Sequence, residues 1–549
     1  MLRVVTVLCL LLAVPVLCVL GAWLAFDAAS LETLRHQWRT VLPEYLWNTG
    51  RLALGVGIGV ALLGGATAAA VTLFEFPLRR QFEWALLLPL AMPAYVLAYA
   101  YTDFLQFSGP LQTALRETSG VQRALWPDVR SLPGATVLFV LCLYPYVYLL
   151  ARAALGERAV PLMEAARLLG AGSVRRVRAV ALPLARPALA AGVALALMET
   201  LADYGVVSYF GVPTVTTGIY RAWLAMDDRI AASQLASILL AGVALLMWFE
   251  RRAQRRLRFA PARRGAAHGA EARPIALRGA GAALAFGLCL LPVLLGFVLP
   301  VLVLLRLVAQ EMQAAGGLAF AAWPRFLHWG WTSLHLALTA SVAAVALSLL
   351  LAFANRAQAG ASLRVATRVV SLGYAVPGAV IAVGILLPVG WLQQVAPGAG
   401  TTALVTGTTF GLLYAYLVRF SAASFQSIEA GYARLPASVD EAARTLGTSR
   451  WRMFVELHAP LLRRPALAAA LLVFVDVMKE LPATLLLRPF DSDTLAVVAY
   501  QLARDERLGE AALPSIAIVV VGLIPVLLLS AAIRGSPAPS QASLLPANA

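Results

Sequence analysis

Lysine is almost missing from this chain. Of its 44 basic residues, Lys479 is the single lysine and all the others are arginines. A phosphate-binding loop needs Gly-Lys-Ser/Thr, because the lysine reaches the β- and γ-phosphates. Lys479 follows Met478 in an apolar run, so the chain carries no such loop. Charge is scarce as well. Only 13% of the 549 residues are charged and 60% are hydrophobic, against roughly 25% charged in soluble globular proteins. That excludes an ordinary water-soluble core and points to lipid as the solvent. The four cysteines (Cys9, Cys18, Cys142, Cys289) lie in apolar stretches without CxxC spacing. They read as small buried hydrophobes, not as metal ligands or disulfides. Five histidines (His36, His268, His328, His335, His458) show no ligand spacing, and no G-x-S-x-G or H-E-x-x-H signature occurs. The expectation is no catalytic residue, no cofactor and no resident metal.

What the chain has is long apolar runs. About 20 such residues cross a bilayer core as a helix. Twelve segments qualify, near 4–26, 50–73, 84–107, 135–155, 187–210, 230–250, 281–308, 331–354, 369–392, 403–425, 465–487 and 513–533. The first, Val4 to Phe26, is longer than a signal-peptide apolar region of about 7–15 residues and is taken as an uncleaved span. The fold class is therefore an all-α membrane protein with about 12 transmembrane helices. The net charge of +16 raises nucleic acid as a partner, but its distribution argues for lipid. Segments 152–186, 251–278 and 419–464 hold seven, nine and seven arginines. With alternating spans and an inside amino terminus these fall on one side, the cytoplasmic side of the positive-inside rule. Both termini are expected there, and no nucleic acid partner is.

Two of those basic segments repeat one pattern. "EAARLLGAGSVRRVRAVALP" begins at Glu164, and "EAARTLGTSRWRMFVELHAP" begins at Glu441, 277 positions later (441 − 164). Gly170 and Gly447, and Pro183 and Pro460, keep that offset. Each copy follows the fourth span of a six-span set, so the chain reads as two parallel six-helix halves. The expected boundaries are 1–255 for the first half, 256–278 for a basic linker, 279–535 for the second half and 536–549 for a disordered tail.

Within the first copy Leu162, Ala165, Ala166 and Leu169 recur at i, i+3, i+4 and i+7; Val439, Ala442, Ala443 and Leu446 do so in the second. That is one narrow helical face. Ser438 with Glu441 three residues on suggests a capping box, and Pro161 suits a helix start. Gly170 and Gly447 suit a left-handed helix end. A second amphipathic helix is expected after each glycine, with Val174, Val177 and Val180 or Trp451, Phe454 and Leu457 on one face, ending at the proline. Such an elbow either docks in a groove of another protein or lies on the membrane with its arginines on lipid phosphates. Two copies with one spacing favour docking.

The pattern resembles the EAA loop of ABC importer permeases: Glu-Ala-Ala, three residues, Gly, nine residues, Ile-x-Leu-Pro. The first copy supplies Glu164, Ala165, Ala166, Gly170 and Val180-Ala181-Leu182-Pro183. The second supplies Glu441, Ala442, Ala443, Gly447 and Leu457-His458-Ala459-Pro460, departing at the leucine position. The resemblance implies that these residues dock on a cytoplasmic ATPase and transmit its closure. It further implies a fused permease of the bacterial inner membrane that seats two copies of the ATPase and receives cargo from a periplasmic substrate-binding protein. "METLADYGVVSYFGVPTVTTGIYRAW" (198–223), "MKELPATLLLRPFDSDTLAV" (478–497) and "YQLARDERLGEAALPS" (500–515) resemble the fused permeases of ferric-iron importers. Permeases for thiamine, phosphonate or polyamine share the architecture and stay open as alternatives.

Charges inside spans are costly and are functional candidates by default. Glu199 and Asp203 stand at i, i+4 on the expected fifth span, sharing a face; Asp476, Lys479 and Glu480 cluster on the eleventh. Oxygen ligands suit a hard ferric ion, so these five residues are candidates for lining the path. An internal Asp476–Lys479 ion pair explains part of the cluster equally well. A secondary transporter would also show internal repeats, with breaks sought at Ala91-Met92-Pro93 and Val376-Pro377-Gly378, but it has no ATPase for the two loops to meet.

Overall fold

The computed structural model describes residues 2–24, 27–156, 160–258, 274–314, 323–357 and 373–534, together with Thr367 and Val370. The core of the expected linker and the expected tail lie outside the described residues. Among the described residues, eight helices are long and apolar enough to cross a membrane, and a bent pair makes a ninth. Three more helices occupy predicted spans: the short apolar Val5–Gly21, Phe410–Tyr432 with a charge at its centre, and Arg463–Met478, which stops early. All twelve predicted positions are thus helical. The described strand content is one two-residue parallel pairing, Phe74–Glu75 with Ile275–Ala276.

Each half builds the same three-helix core. Leu42–Leu73, Leu132–Ala154 and Leu182–Ala202 pack on one another, as do Trp323–Ala357, Phe410–Tyr432 and Arg463–Met478. Hydrophobic burial does not favour one helix partner over lipid, so small residues that allow close approach set these contacts. A Cβ added at Gly64 would lie 2.7 Å from the Tyr144 carbonyl oxygen, and one at Gly192 would lie 2.7 Å from Val147 Cα. The halves also interlock. The first helix, Leu2–Gly21, packs chiefly on Gly378–Val395 of the second half, where a Cβ at Gly384 would collide with the Pro15 carbonyl oxygen. Leu299–Ala314 packs on Leu508–Arg534 and also on Ala94–Leu105 of the first half.

Four of the predicted straight spans are broken among the described residues. The one expected at 369–392 breaks at Val376-Pro377, between the turn Gly373–Ala375 and helix Gly378–Val395, and each of the other three breaks has a local cause. The stretch expected as 84–107 is two helical pieces, Arg79–Ala91 and Ala94–Ser119, meeting at 89°. Pro93 has no N–H to continue the ladder, and the backbone at Met92 is extended. The expected span 187–210 ends at Ala202; Asp203 is extended (φ −72°, ψ 137°) and helix resumes at Gly205. The expected span 465–487 likewise ends at Met478 and resumes at Pro482. At both sites a carboxylate bonds the next helix start, an alternative to ladder bonding that sequence hydropathy does not register.

Candidate functional site

Two regions of the fold gather the polar chemistry: a pair of matching elbows, one in each half, and a chamber where the broken helices meet. In the first elbow, helix Val160–Leu168 carries Glu164, Ala165 and Ala166. In the second, helix Ala437–Thr445 carries Glu441, Ala442 and Ala443. Both helices end on a left-handed glycine, Gly170 at φ 82° and Gly447 at φ 75°. The closing bonds match: Ala171 N–H to the Ala166 carbonyl at 3.0 Å, and Thr448 N–H to the Ala443 carbonyl at 3.1 Å. This is the two-bond helix stop that glycine favours, since a side chain there costs roughly 1–2 kcal/mol. Just before each glycine a leucine stands in the open, Leu169 88% and Leu446 84% exposed. Ala165 and Ala442 are exposed beside them.

Two expectations for the elbows need correction. Ser438 does not cap its helix. The cap is Pro436, and no side chain bonds the first turn. Arg356 holds the Tyr432, Leu435 and Pro436 carbonyls at 3.1 Å each, which starts the helix before Ser438. Nor does the second amphipathic helix end at the proline. In each copy it widens into a π turn, Val177–Ala181 or Met453–His458. Pro183 and Pro460 then fall in the first turn of the next helix, where a missing N–H costs nothing.

The elbows are seated differently. In the second, Asp440 accepts from Arg356 Nε at 2.7 Å and Nη2 at 3.2 Å, and His458 Nε2 lies 3.0 Å away. Burial opposes the charge on Asp440, but the Arg356 and His458 hydrogen bonds outweigh it and hold the carboxyl below its ordinary value. At the matching positions of the first elbow stand Met163 and Ala181, both buried. One seat is ionic and the other apolar.

The chamber is a cavity of ≈ 110 Å³ whose lining includes Glu199, Asp203, Arg419, Asp476, Lys479 and Glu480. Asp203 Oδ1 accepts from Val206 N–H at 2.8 Å, bonding the start of helix Gly205–Tyr209. Glu480 does the same for helix Pro482–Leu487, accepting from Ala483 N–H at 2.8 Å and Thr484 N–H at 2.9 Å. It also takes the Thr484 hydroxyl and Arg419 Nη1 at 3.0 Å. Gly378 makes room for that pair: a Cβ there would lie 2.9 Å from both Arg419 Nη1 and Glu480 Oε1. Lys479 Nζ meets Asp476 Oδ1 at 2.9 Å, the internal pair weighed from the sequence. Glu199 and Asp203 do not share a continuous helix face, because the helix stops between them, yet both line the chamber. Met92 and Pro93 from the first bend line it too. Among the described residues no three His, Cys, Asp or Glu side chains converge to hold a metal ion.

Arg419 lies inside a helix and not in a loop. Grouped by sequence with the basic loop 419–464, it lies at the middle of Phe410–Tyr432; a charge so deep in an apolar run was the missed signal. Its match in the first half (419 − 277 = 142) is Cys142, whose thiol donates to the Met92 carbonyl at 3.0 Å. Beyond the chamber, Tyr204 stacks on Tyr220 at 3.7 Å and lies 5.7 Å from Tyr500. A second cavity of ≈ 150 Å³ there is lined by Tyr204, Tyr220, Arg221 and Arg504. Nothing in the spacing of these tyrosines foretold the cluster.

Matching elbows on a two-fold repeated helical bundle, with a polar chamber where its broken helices meet, describe a transport permease. The chain belongs to the binding-protein-dependent transport system inner membrane component family, whose pattern it matches twice, over 61–259 and 344–535. It is thus a multi-pass permease of the ABC importer class with both copies on one chain. It is 24% identical to the Fe(3+)-transport system permease protein FbpB 2 of Haemophilus influenzae, over 95% of this chain and 97% of that protein. A putative 2-aminoethylphosphonate transport system permease protein, PhnU of Salmonella choleraesuis, is 27% identical over 38% of this chain and 74% of its own length. PhnV of Salmonella paratyphi A is 29% identical over 37% and 72%.

Proposed function

We propose that this chain carries ferric iron, delivered by a periplasmic binding protein, across the inner membrane, with both termini in the cytoplasm. The observation that carries the cargo is the end-to-end likeness to an Fe(3+) permease, since the phosphonate relatives align with only part of the chain. The acidic chamber is consistent with it: a hard trivalent cation prefers carboxylate oxygens. Glu199 and Asp203 line the path, while Asp476, Lys479 and Glu480 border it.

The two elbows each seat one copy of a separate ATPase, through Glu164, Ala165, Ala166, Gly170 and Pro183 in one and Glu441, Ala442, Ala443, Gly447 and Pro460 in the other. Exposed Leu169 and Leu446 offer apolar tips to such a partner, and the helix stops fix their direction. The chain itself hydrolyses no ATP. Residues 1–255 and 279–535 form its two permease units, joined by the cytoplasmic linker 256–278.

A phosphonate cargo is the second reading, supported by the relatives and by Arg221 and Arg504 at the outer cavity, which suit an anion. The test is complementation of a strain lacking the gene, with uptake of radio-iron, 2-aminoethylphosphonate and thiamine run in parallel. Restored iron uptake alone supports the proposal. Restored phosphonate or thiamine uptake with unchanged iron overturns it.

A further inference from the structure

The chamber's charges are unevenly shared between the halves. Glu199 and Asp476 hold matching places (476 − 199 = 277), as do Asp203 and Glu480. Glu480 is saturated by Arg419, two backbone N–H groups and a hydroxyl. The Glu199 carboxylate makes no hydrogen bond or ion pair among the described residues, although its backbone carbonyl accepts from Asp203 N–H. Asp476, only 6% exposed, gives Oδ1 to Lys479 and leaves Oδ2 buried without a partner. A carboxylate oxygen so placed in a low-dielectric cavity is costly to leave unpaired and is open to a visiting cation. Lys479 has no counterpart, since Ala202 occupies its place in the first half.

The identity of that cation is a second observation. Every other basic residue of this chain is arginine, so composition alone would put arginine here too. Guanidinium locks into a carboxylate as a planar fork, whereas an ammonium is a compact charge on a flexible stem. The Lys479 side chain is 34% exposed, partly free in the chamber, whereas Arg419 and Glu480 are 12% and 1% exposed.

We propose that Lys479 is a tethered counter-ion that keeps the cargo's place. Its ammonium serves Asp476, with Glu199 in the same cavity lining, while the chamber is empty, and it swings aside when a hard cation takes the same oxygens. One cation replaces another, so the carboxylates are never left bare at mid-membrane. The Arg419–Glu480 pair cannot play this part because the acceptor is already filled. The proposal rests on reading the chamber as the cargo's path.

Terbium(III) tests it without transport. It is a hard trivalent ion that seeks carboxylates, and nearby tyrosines sensitise its luminescence; Tyr95 and Tyr146 line the chamber. The permease, copurified with its ATPase in nanodiscs, is titrated with terbium. Lys479→Met should bind it about tenfold or more tightly than the natural chain, because a unit charge a few ångströms away is removed. Lys479→Arg should show no gain, and adding Glu199→Gln to Lys479→Met should erase the gain. If Lys479→Met does not assemble, Lys479→Gln, which still donates to Asp476, is titrated in its place. An assembled Met or Gln variant that binds terbium no more tightly than the natural chain overturns the proposal. A terbium gain alongside absent iron uptake by the natural chain would overturn the cargo instead and leave the counter-ion standing.

Discussion

Asp203 and Glu480 occupy matching places and bond matching helix starts, yet their surroundings give them different roles. Glu480 is buried in an ion pair whose partner, Arg419, is nearly as buried. Removing one member of such a pair leaves an uncompensated charge and costs about 3–5 kcal/mol. Glu480→Gln should therefore lower the melting temperature of the purified permease–ATPase complex and its yield; unchanged melting would contradict a structural role. Glu199 and Asp203 carry fewer obligations. Glu199→Gln with Asp203→Asn should reduce iron uptake while the ATPase still copurifies at natural levels; loss of assembly would show the pair to be structural. At this scale the sequence was informative about which residues are charged inside spans and uninformative about their partners. The Asp476–Lys479 pair was legible because i, i+3 spacing is local. Arg419 and Glu480 are 61 positions apart, and only the packing of two helices brings them together.

In the elbows the glycine stops were legible beforehand, because they are local chemistry, whereas the start of the second elbow's helix was not, since Arg356 from another helix holds it. The positive φ at Gly170 and Gly447 shows what a substitution there would do. An added Cβ meets nothing within 4 Å at either site, so the cost is backbone strain of roughly 1–2 kcal/mol and not an internal clash. Gly170→Ala and Gly447→Ala should keep most ATPase copurification, whereas Gly170→Arg with Gly447→Arg should abolish it and transport while the chain still inserts. Natural levels of ATPase on the double arginine variant would refute docking. The ionic seat of the second elbow gives a pH test. Asp440 has a depressed folded-state pKa, so its contribution is present above the ordinary aspartate value of about 3.9 and is lost as pH falls through the depressed value. Asp440→Asn should destabilise by about 1–3 kcal/mol. The melting gap to the natural chain should stay constant from about pH 8 to 5 and close below about pH 4. A gap that closes near pH 6 would transfer the effect to another group. The breaks at Asp203 and Lys479–Leu481 were not legible, since hydropathy runs smoothly through both. What ends those helices is a carboxylate bonding the turn beyond it, which has no hydropathic signature.

Across the whole molecule, the twelve helix positions and the two-fold repeat follow from apolar run length and a 277-residue offset, whereas the interlock of the halves does not. Nothing local in Leu2–Gly21 says that it packs chiefly on Gly378–Val395 of the second half; that is a property of the assembled bundle. The side on which the basic loops lie is open to direct test. Ala267 lies in the linker, outside the described residues, and Ala267→Cys should resist a membrane-impermeant thiol reagent on intact spheroplasts. Ready labelling from outside would invert the topology and remove the elbows from any cytoplasmic ATPase. The proposed passage of ferric iron under the drive of a separate ATPase is itself open to direct test. Its most direct measurement is iron accumulation in proteoliposomes holding the permease and ATPase, with ATP enclosed on the elbow side and iron-loaded binding protein on the other. Accumulation should need ATP, the ATPase and the binding protein together. Iron entry without ATP, or accumulation of 2-aminoethylphosphonate in place of iron when its own binding protein is supplied, would contradict it.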